Sequence, residues 1–430
     1  MTRLFATLFA PLLVVATFTT VAKASDPLHD RIRQVGALMT ESLQLDTIFG
    51  ASFLQSVPAP SLKAGIRQLA SGLGTYQSHT ITKQKTPFEA SAKLLMSGGT
   101  SIPIDIAIDP TAPHRIIGLF LRPPVKEAQT FSELTKAFAA LPGRSSFLIT
   151  DLGTGQSLAS HNDTARLPLG SAFKLYILGE LTRQIQSGSK RWSDVVTLDS
   201  TRFSLPSGIL QTWPHGAPIT LHTAATQMIS ISDNTATDLL LHVAGRSNVE
   251  AVQSIMGHGK PDVNIPFLST RELFILKFSK GASLANRYRE ASLAGRRDLL
   301  ATSIATVPND SVAMEEEPIM VDQLEWFASA REMSSCMKWF YTNGTSAAGA
   351  MALDILSVNH GVSINNADFP YAGYKGGSEP GVITMVYLLR HRSGRWYTLS
   401  ASWMNTEAPV QEGNFISLVQ SAIDLLGKQQ

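Results

Sequence analysis

The sequence has few charged residues and only one cysteine, Cys336. Asp, Glu, Lys and Arg make up 16% of the chain, below the roughly one quarter that is usual in globular proteins. The formal net charge is +2, and this near-neutral balance gives no indication of a nucleic-acid partner. A single cysteine excludes a disulfide within the chain. The apolar residues around Cys336 at helical spacing predict a buried helical thiol rather than a nucleophile.

Patterns that bind metals are also missing from the sequence. The histidines are scattered, no His-Glu-x-x-His motif occurs, and no second cysteine is present to form a pair. The sequence therefore predicts neither a metal site nor a cofactor.

Long apolar runs are absent after the first 24 residues, and those 24 residues have the pattern of a signal peptide. Arg3 precedes an apolar stretch over residues 4–21, and Ala22-Lys23-Ala24 supplies the small-x-small cleavage pattern. The alternative, a membrane anchor that stays attached, fits Pro11 and the cleavage pattern less well. We therefore expect a periplasmic or secreted protein without membrane attachment after cleavage.

The length predicts two or three domains, and the order of the patterns predicts two. Residues 27–74 carry apolar positions at helical spacing, and strands are predicted over 88–96, 101–108 and 114–122. Helices followed by strands predict a small α+β accessory domain over residues 25–124.

The second predicted domain covers residues 128–430. Its predicted strands are 145–151, 157–161, 374–392 and 396–404; its predicted helices include 131–141, a mostly helical middle over 171–360, and 414–426. Strands at both ends with helices between them predict one antiparallel sheet with helical layers, so that the whole chain is of the α+β class.

The first chemical motif is Ser171-Ala172-Phe173-Lys174, at the start of an apolar helix. Residues three apart on a helix share a face, so Ser171 and Lys174 lie close together. A partly desolvated lysine with a lowered pKa can take the proton of a serine nucleophile. The alternative for this motif alone is a surface lysine near a helix cap.

The second motif is Ser232-Asp233-Asn234. Its hydroxyl and amide can relay a proton and hold a substrate amide. All three residue types also cap helices, and an apolar helical pattern follows, so a cap is the alternative interpretation.

The third motif is Lys375-Gly376-Gly377, followed by Ser378, at the entry to a long apolar strand. A lysine here can bind a substrate carboxylate, and the glycines let the backbone approach a ligand closely. The backbone N–H groups of Ser378 and Ser171 can form an oxyanion hole. A loop-to-strand turn is the alternative for this tripeptide alone.

Together, in this order and context, the motifs resemble the Ser-x-x-Lys, Ser-Asp-Asn and Lys-Thr-Gly signature of class A β-lactamases and penicillin-binding proteins. Residues 128–430 are similar to that catalytic domain. The stretches 205–208, 270–274 and 375–381 resemble a smaller branch in which a helical or steroid-isomerase-like domain precedes it, as in proteins from clavulanic-acid biosynthesis clusters.

The resemblance implies roles for individual residues. Ser171 would be the acylated nucleophile, Lys174 its base, and Ser232 a proton shuttle to the leaving group. Lys375 would pair with the substrate carboxylate, and Asn234 would contact the substrate amide. The remaining binding positions are Gly376, Gly377 and Ser378.

The sequence departs from the family pattern at two places. Gly376 replaces the usual Thr or Ser, so one hydroxyl contact to a carboxylate is lost. No Glu-x-x-Leu-Asn occurs where the deacylating glutamate is expected, and Glu272 is the nearest candidate. The alternative for Glu272 is an ordinary helix residue that pairs with Arg271 or solvent.

The main functional expectation is an exported serine hydrolase that acts on a small-molecule substrate, a β-lactam or a related ester. A D-alanyl-D-alanine peptidase and a binding protein that keeps the pocket without turnover are the alternatives.

Overall fold

The computed structural model describes residues 26–429, apart from residues 42, 127, 279–282 and 309–314. The predicted signal peptide, residues 1–24, lies outside the described residues. Within the described ranges, no helix is both long enough and apolar enough to cross a bilayer.

The N-terminal part of the chain consists of short helices followed by an antiparallel sheet. The strand order is β1-β2-β3-β4, and β5 lies beside the start of β3. The elements are α1 (Pro27–Ala37), α2 (Leu45–Ile48), α3 (Ala51–Ser56), α4 (Ala59–Ala70), β1 (Tyr76–Thr86), β2 (Glu89–Met96), β3 (Thr100–Ile108), β4 (Ile116–Leu121) and β5 (Val125–Lys126).

The core of this part lies between α1 and one face of the sheet. Ile104 and Ile106 of β3 are buried in the same apolar cluster as Leu28 and Ile32 of α1. Every second residue of a strand points to the same face, and this explains the alternating burial along β3. The helices over 27–74 and the strands β2, β3 and β4 confirm the prediction, whereas the polar edge strand β1 was not predicted.

The remaining elements build a second antiparallel sheet and the helices that cover it. In chain order they are α5 (Phe131–Ala139), β6 (Arg144–Asp151), β7 (Ser157–His161), β8 (Arg166–Pro168), a 3₁₀ turn (Gly170–Phe173), α6 (Lys174–Gln186), β9 (Val195–Thr197), β10 (Pro218–Thr220), α7 (Leu221–Ser230), α8 (Asn234–Ala244), α9 (Arg246–Ile255), α10 (Thr270–Phe278), α11 (Ser283–Glu290), α12 (Leu293–Leu299), β11 (Phe327–Ser329), α13 (Ala330–Asn343), α14 (Ala347–Leu356), β12 (Tyr371–Glu379), β13 (Val382–Arg390), β14 (Trp396–Met404) and α15 (Glu412–Gly427).

The main sheet has the order β12-β13-β14-β6-β7, with antiparallel neighbours throughout. Its strands come from both ends of this part of the chain, which confirms the predicted sheet with helical layers. The prediction of one strand over residues 374–392 is wrong. Glu379 pairs with Val382 across a tight turn made by Pro380 and Gly381. Proline has no N–H for a ladder, and Gly381 takes a φ of +84° that glycine adopts without strain.

Both faces of β13 are covered, which explains why its sequence is apolar on both faces from Val382 to Leu389, apart from Thr384. Val386 and Leu388 join the core that contains α6 and α8, whereas Met385 and Tyr387 join the core formed with α5 and α15. Cys336 is fully buried on α13, as predicted, and burial raises the pKa of its thiol well above the usual value.

Candidate active site

Ser171 lies in the tight 3₁₀ turn before α6, held against the edge strand β12. A Cβ on Gly377 would come within 2.2 Å of the Ser171 nitrogen, and a Cβ on Gly170 would lie 3.0 Å from the Ser378 nitrogen. Only glycine fits at these two positions, because a side chain on either would separate the turn from the strand. The backbones of Ser171 and Ser378 are therefore close neighbours, as an oxyanion hole requires.

The Ser171 turn also rests on an aromatic stack. Phe173 and Trp326 are parallel, with ring centroids 3.5 Å apart, and the Trp326 carbonyl accepts a hydrogen bond from Leu169 N–H at 2.8 Å. Ser171 itself is partly buried and lines a cleft. Within the part of the chain that is described, its hydroxyl forms no hydrogen bond, so it is open to a substrate.

Lys174, the first residue of α6, is completely buried. Its Nζ donates to the Ser232 carbonyl and to Asn234 Oδ1, both at 2.7 Å, and lies 3.0 Å from Ser232 Oγ. Burial, reinforced by the charge of Lys375, lowers the pKa of Lys174 well below the ordinary lysine value. A lowered pKa makes the unprotonated amine, which has a free lone pair, easier to form, so Lys174 has the character of a proton acceptor.

Ser232 connects the two buried lysines. Its backbone has a φ of +59°, in the left-handed region that residues other than glycine seldom adopt. This turn directs its hydroxyl between Lys174 Nζ at 3.0 Å and Lys375 Nζ at 3.1 Å. A hydroxyl that contacts two amines can pass a proton between them.

The cap interpretation of the second motif applies to Asp233 and not to Ser232. Asp233 caps α8 by accepting from Ala236 N–H at 2.8 Å, and it also accepts from Ile209 and Leu210 N–H at 2.7 and 2.9 Å. A Cβ on Gly208 would lie 2.2 Å from the Asp233 carboxyl carbon. Asp233 thus fixes the preceding loop against the start of α8.

Asn234 does not occupy the place that the sequence predicted. It is 2% exposed, its Oδ1 accepts from Lys174, and its Nδ2 donates to the Leu205 carbonyl at 2.9 Å. It is not among the residues that line the cleft. Because its amide already has both partners inside the protein, Asn234 orients Lys174 in this structure and does not face a substrate.

Lys375 is buried on β12, with its Nζ donating to Ser232 Oγ and to the Gly376 carbonyl. Burial lowers the pKa of Lys375 to about 7. A substrate carboxylate beside Lys375 would favour its protonated form.

A buried charge cluster supports the end of β12, next to Ser378. Lys277 of α10 pairs with Glu379 and lies 3.5 Å from Glu325, and all three side chains are at most 6% exposed. Burial and the Glu379 carboxylate raise the pKa of Glu325, so Glu325 holds its proton more tightly than an exposed glutamate does. This cluster was not predicted from the sequence, although Glu379 directly follows Ser378.

Glu272 is not close to the other predicted site residues. Its carboxylate accepts from Arg246 at 2.7 Å and from Ser269 N–H at 2.7 Å, in the first turn of α10. It is absent from the cleft lining. The structure therefore places Glu272 as a helix residue in a partly buried ion pair, as the alternative interpretation expected, but its partner is Arg246 and not Arg271.

The cleft, about 2170 Å³ in volume, is walled by both sheets. Ser171, Ser232 and Lys375 line it on one side, and residues of the N-terminal sheet, such as Phe120 and Arg122, line it on the other. In the described ranges, no cluster of His, Cys, Asp and Glu side chains is arranged to hold a metal ion.

The sequence matches the model of the β-lactamase enzyme family over residues 129–401. The chain belongs to this family. Its fold is the β-lactamase fold, and the β-lactamase-like serine hydrolase predicted from the three motifs agrees with the match. The narrower resemblance to the two-domain branch stays a prediction.

Several solved structures are similar to this chain. A β-lactamase from Sphaerobacter thermophilus is 19% identical, with 69% of this chain and 96% of that chain covered and a TM-score of 0.48. A β-lactamase from Desulfarculus baarsii is 14% identical, with 70% and 100% covered and a TM-score of 0.49. A variant of PBP-A, solved as an acyl-enzyme complex with penicillin G, is 15% identical, with 69% and 94% covered and a TM-score of 0.47. No curated protein matches the chain.

Proposed function

We propose that this member of the β-lactamase family is an exported serine hydrolase that forms an acyl-enzyme at Ser171 with a β-lactam or a related ester. The observation that carries the proposal is the meeting of two buried lysines at one hydroxyl. Lys174 Nζ and Lys375 Nζ lie 3.0 and 3.1 Å from Ser232 Oγ, next to the turn that presents Ser171.

The proposed reaction uses these groups in sequence. Ser171 Oγ attacks the substrate carbonyl carbon and gives its proton to the unprotonated amine of Lys174, the form that the lowered pKa favours, while the N–H groups of Ser171 and Ser378 stabilise the oxyanion. The bond from that carbon to the amide nitrogen, or to the ester oxygen, then breaks. Ser232 passes a proton to the leaving atom, and Lys174 restores the proton of Ser232.

The acyl-enzyme is expected to be long-lived. The acidic residues in the described cleft lining are Asp105, from the N-terminal sheet, and Glu412, from the start of α15. Neither comes from the stretch after Ser232 in which the resemblance places the deacylating glutamate. Asp105 is, in addition, paired with Arg122. Because neither described carboxylate stands where the resemblance places the group that activates water, we expect slow hydrolysis of the ester to Ser171.

Intact-mass spectrometry after incubation with penicillin G or nitrocefin tests the proposal. A covalent adduct is expected on the wild type and not on Ser171→Ala. Ser230→Ala is a matched control, because Ser230 lines the same cleft but its hydroxyl donates to the Thr226 carbonyl at 2.6 Å. Absence of an adduct and of turnover on the wild type would contradict the assignment.

A peptidyl-D-alanine substrate is the second candidate, and the size of the cleft favours it. A volume of about 2170 Å³ exceeds the roughly 300–1,000 Å³ of sites for drug-sized ligands, and it leaves room for a peptide. Release of D-Ala from a muropeptide would support a peptidase, whereas acylation without any release would favour a binding role.

Export is tested separately, because it depends on residues 1–24 alone. The full chain, expressed in a Gram-negative host, is expected in the periplasm or the medium with a mass that corresponds to loss of those residues. A cytoplasmic product of full mass would contradict this part of the proposal.

A further inference from the structure

The third motif lacks its usual hydroxyl, because Gly376 stands where Thr or Ser is expected. A Cβ on Gly376 would lie 2.0 Å from Tyr374 Oη and 2.8 Å from its ring carbon Cζ. These separations are too short for any side chain at position 376. The phenol of Tyr374 therefore occupies the volume that a threonine or serine side chain would fill.

The Tyr374 ring is held in this place from several sides. A Cβ on Gly361, which has a φ of +68°, would lie 2.4 Å from Tyr374 Cζ. The ring centroid of Tyr387 lies 4.8 Å from that of Tyr374, and Tyr387 is itself fixed by a hydrogen bond to the His360 carbonyl at 3.0 Å. Gly361 and Gly376 have no side chains and so leave room for the Tyr374 ring, whose hydroxyl lies over Gly376.

The Tyr374 hydroxyl is available to a ligand. Among the described residues it forms no hydrogen bond, and Tyr374, Lys375 and Gly376 all line the cleft. Burial, and to a smaller degree the charge of Glu412, raise the pKa of Tyr374 well above its usual value. The hydroxyl therefore keeps its proton and remains a donor throughout the working pH range.

We propose that Tyr374 Oη replaces the missing hydroxyl of position 376 and donates a hydrogen bond to the carboxylate of the substrate, beside Lys375 Nζ. This inference rests on the proposed function. It defines the substrate class as carboxylate-bearing β-lactams, esters or peptides. Glu412 repels an anion on its own side of Tyr374, so the carboxylate lies on the Lys375 side.

The test compares acylation of Ser171 by penicillin G, which carries a carboxylate, with acylation by p-nitrophenyl acetate, which does not. Tyr374→Phe is expected to lower the second-order rate constant about 10- to 100-fold for penicillin G, the loss typical of a hydrogen bond to a charged group. The rate with the neutral ester is expected to change less than about twofold.

Tyr371→Phe serves as a matched control on the same strand. Its hydroxyl donates to the Leu353 carbonyl at 2.9 Å, and it is absent from the cleft lining. We expect this variant to leave the ratio of the two rates unchanged.

A rescue variant separates hydroxyl loss from altered packing. Tyr374→Ala removes the ring and makes room at position 376, so Tyr374→Ala/Gly376→Thr is expected to regain at least about tenfold over Tyr374→Ala, with penicillin G only. An equal loss on both substrates in Tyr374→Phe, or no loss on either, would overturn the inference while the acyl-enzyme proposal stands. A wild type that neither substrate acylates would instead overturn the proposed function, and this inference with it.

Discussion

Replacing Lys375 by methionine is expected to stabilise the protein at low pH and to abolish its use of carboxylate substrates. Lys375 is 2% exposed, and its pKa falls from the model-peptide value of 10.5 to about 7 because of burial. The charged form therefore costs the folded state about 5 kcal/mol relative to the unfolded chain. Methionine has a similar length and no charge to bury.

The pH dependence follows from protonation of Lys375 in the two states. Below pH 7, Lys375 is protonated in both the folded and the unfolded chain, so the full free-energy cost of its buried charge destabilises the folded state. Between pH 7 and pH 10.5 the folded state gives up its proton first, so the wild type gains stability as the pH rises. From pH 6 to pH 9.5 this gain is about 3 kcal/mol.

Lys375→Met also loses the bonds to Ser232 Oγ and the Gly376 carbonyl, at a cost of about 1–3 kcal/mol. We therefore expect the variant to be about 2–4 kcal/mol more stable than the wild type at pH 6, and within about 1 kcal/mol of it at pH 9.5. The charge of Lys375 also lowers the pKa of Lys174. Removing that charge makes protonated Lys174 less costly in the folded state, so this effect also stabilises the variant at low pH.

Urea unfolding at pH 6 and pH 9.5, followed by circular dichroism, measures both free energies. Lys338→Met, on the exposed side of α13, is the control and is expected to give the same difference from wild type at both pH values. If Lys375→Met were destabilising by the same amount at both pH values, the buried charge would not carry the cost assigned to it here.

Further predictions concern Glu325, Glu272 and the cleft wall. Glu325→Gln should become more heat-stable relative to the wild type as the pH rises above 4.5. The raised pKa of Glu325 makes its ionisation costly in the folded state only, so the wild type loses stability over this range. Melting temperatures of both proteins at pH 5 and pH 9 measure the difference. Glu272→Gln should lower the free energy of unfolding by about 1–2 kcal/mol through its pair with Arg246, yet leave deacylation measured by mass spectrometry within about twofold. Phe120→Ala should raise KM about threefold or more for a bulky N-acylated substrate, because Phe120 is 60% exposed and lines the cleft. Ile117→Ala, on the same strand but outside that lining, should leave KM unchanged.

Local patterns were sufficient for much of the fold and for the prediction of the site motifs. Ser171 and Lys174 are three apart at the start of a helix, the spacing that puts two residues on one helix face. The buried helix that holds Cys336 and the strands of the main sheet follow from apolar periodicity in the same way. The edge strand β1 was not predicted, because its mostly polar sequence has no clear alternation.

The two predicted site residues that have other partners in the structure are polar, and those partners are distant in sequence. The amide of Asn234 faces Lys174 and Leu205, and the carboxylate of Glu272 faces Arg246. A buried polar group takes the partner that best satisfies it, and the tertiary fold decides which partner is within reach.

The sequence by itself determined the class of the fold and supplied the prediction of which residues react, because helix spacing and strand alternation are properties of neighbouring residues. Only the tertiary structure decided what surrounds them. It placed two lysines at the Ser232 hydroxyl, the Tyr374 phenol over Gly376 and the N-terminal sheet across the cleft. These contacts join segments far apart in the chain, and their formation depends on how the layers pack, which no local pattern records.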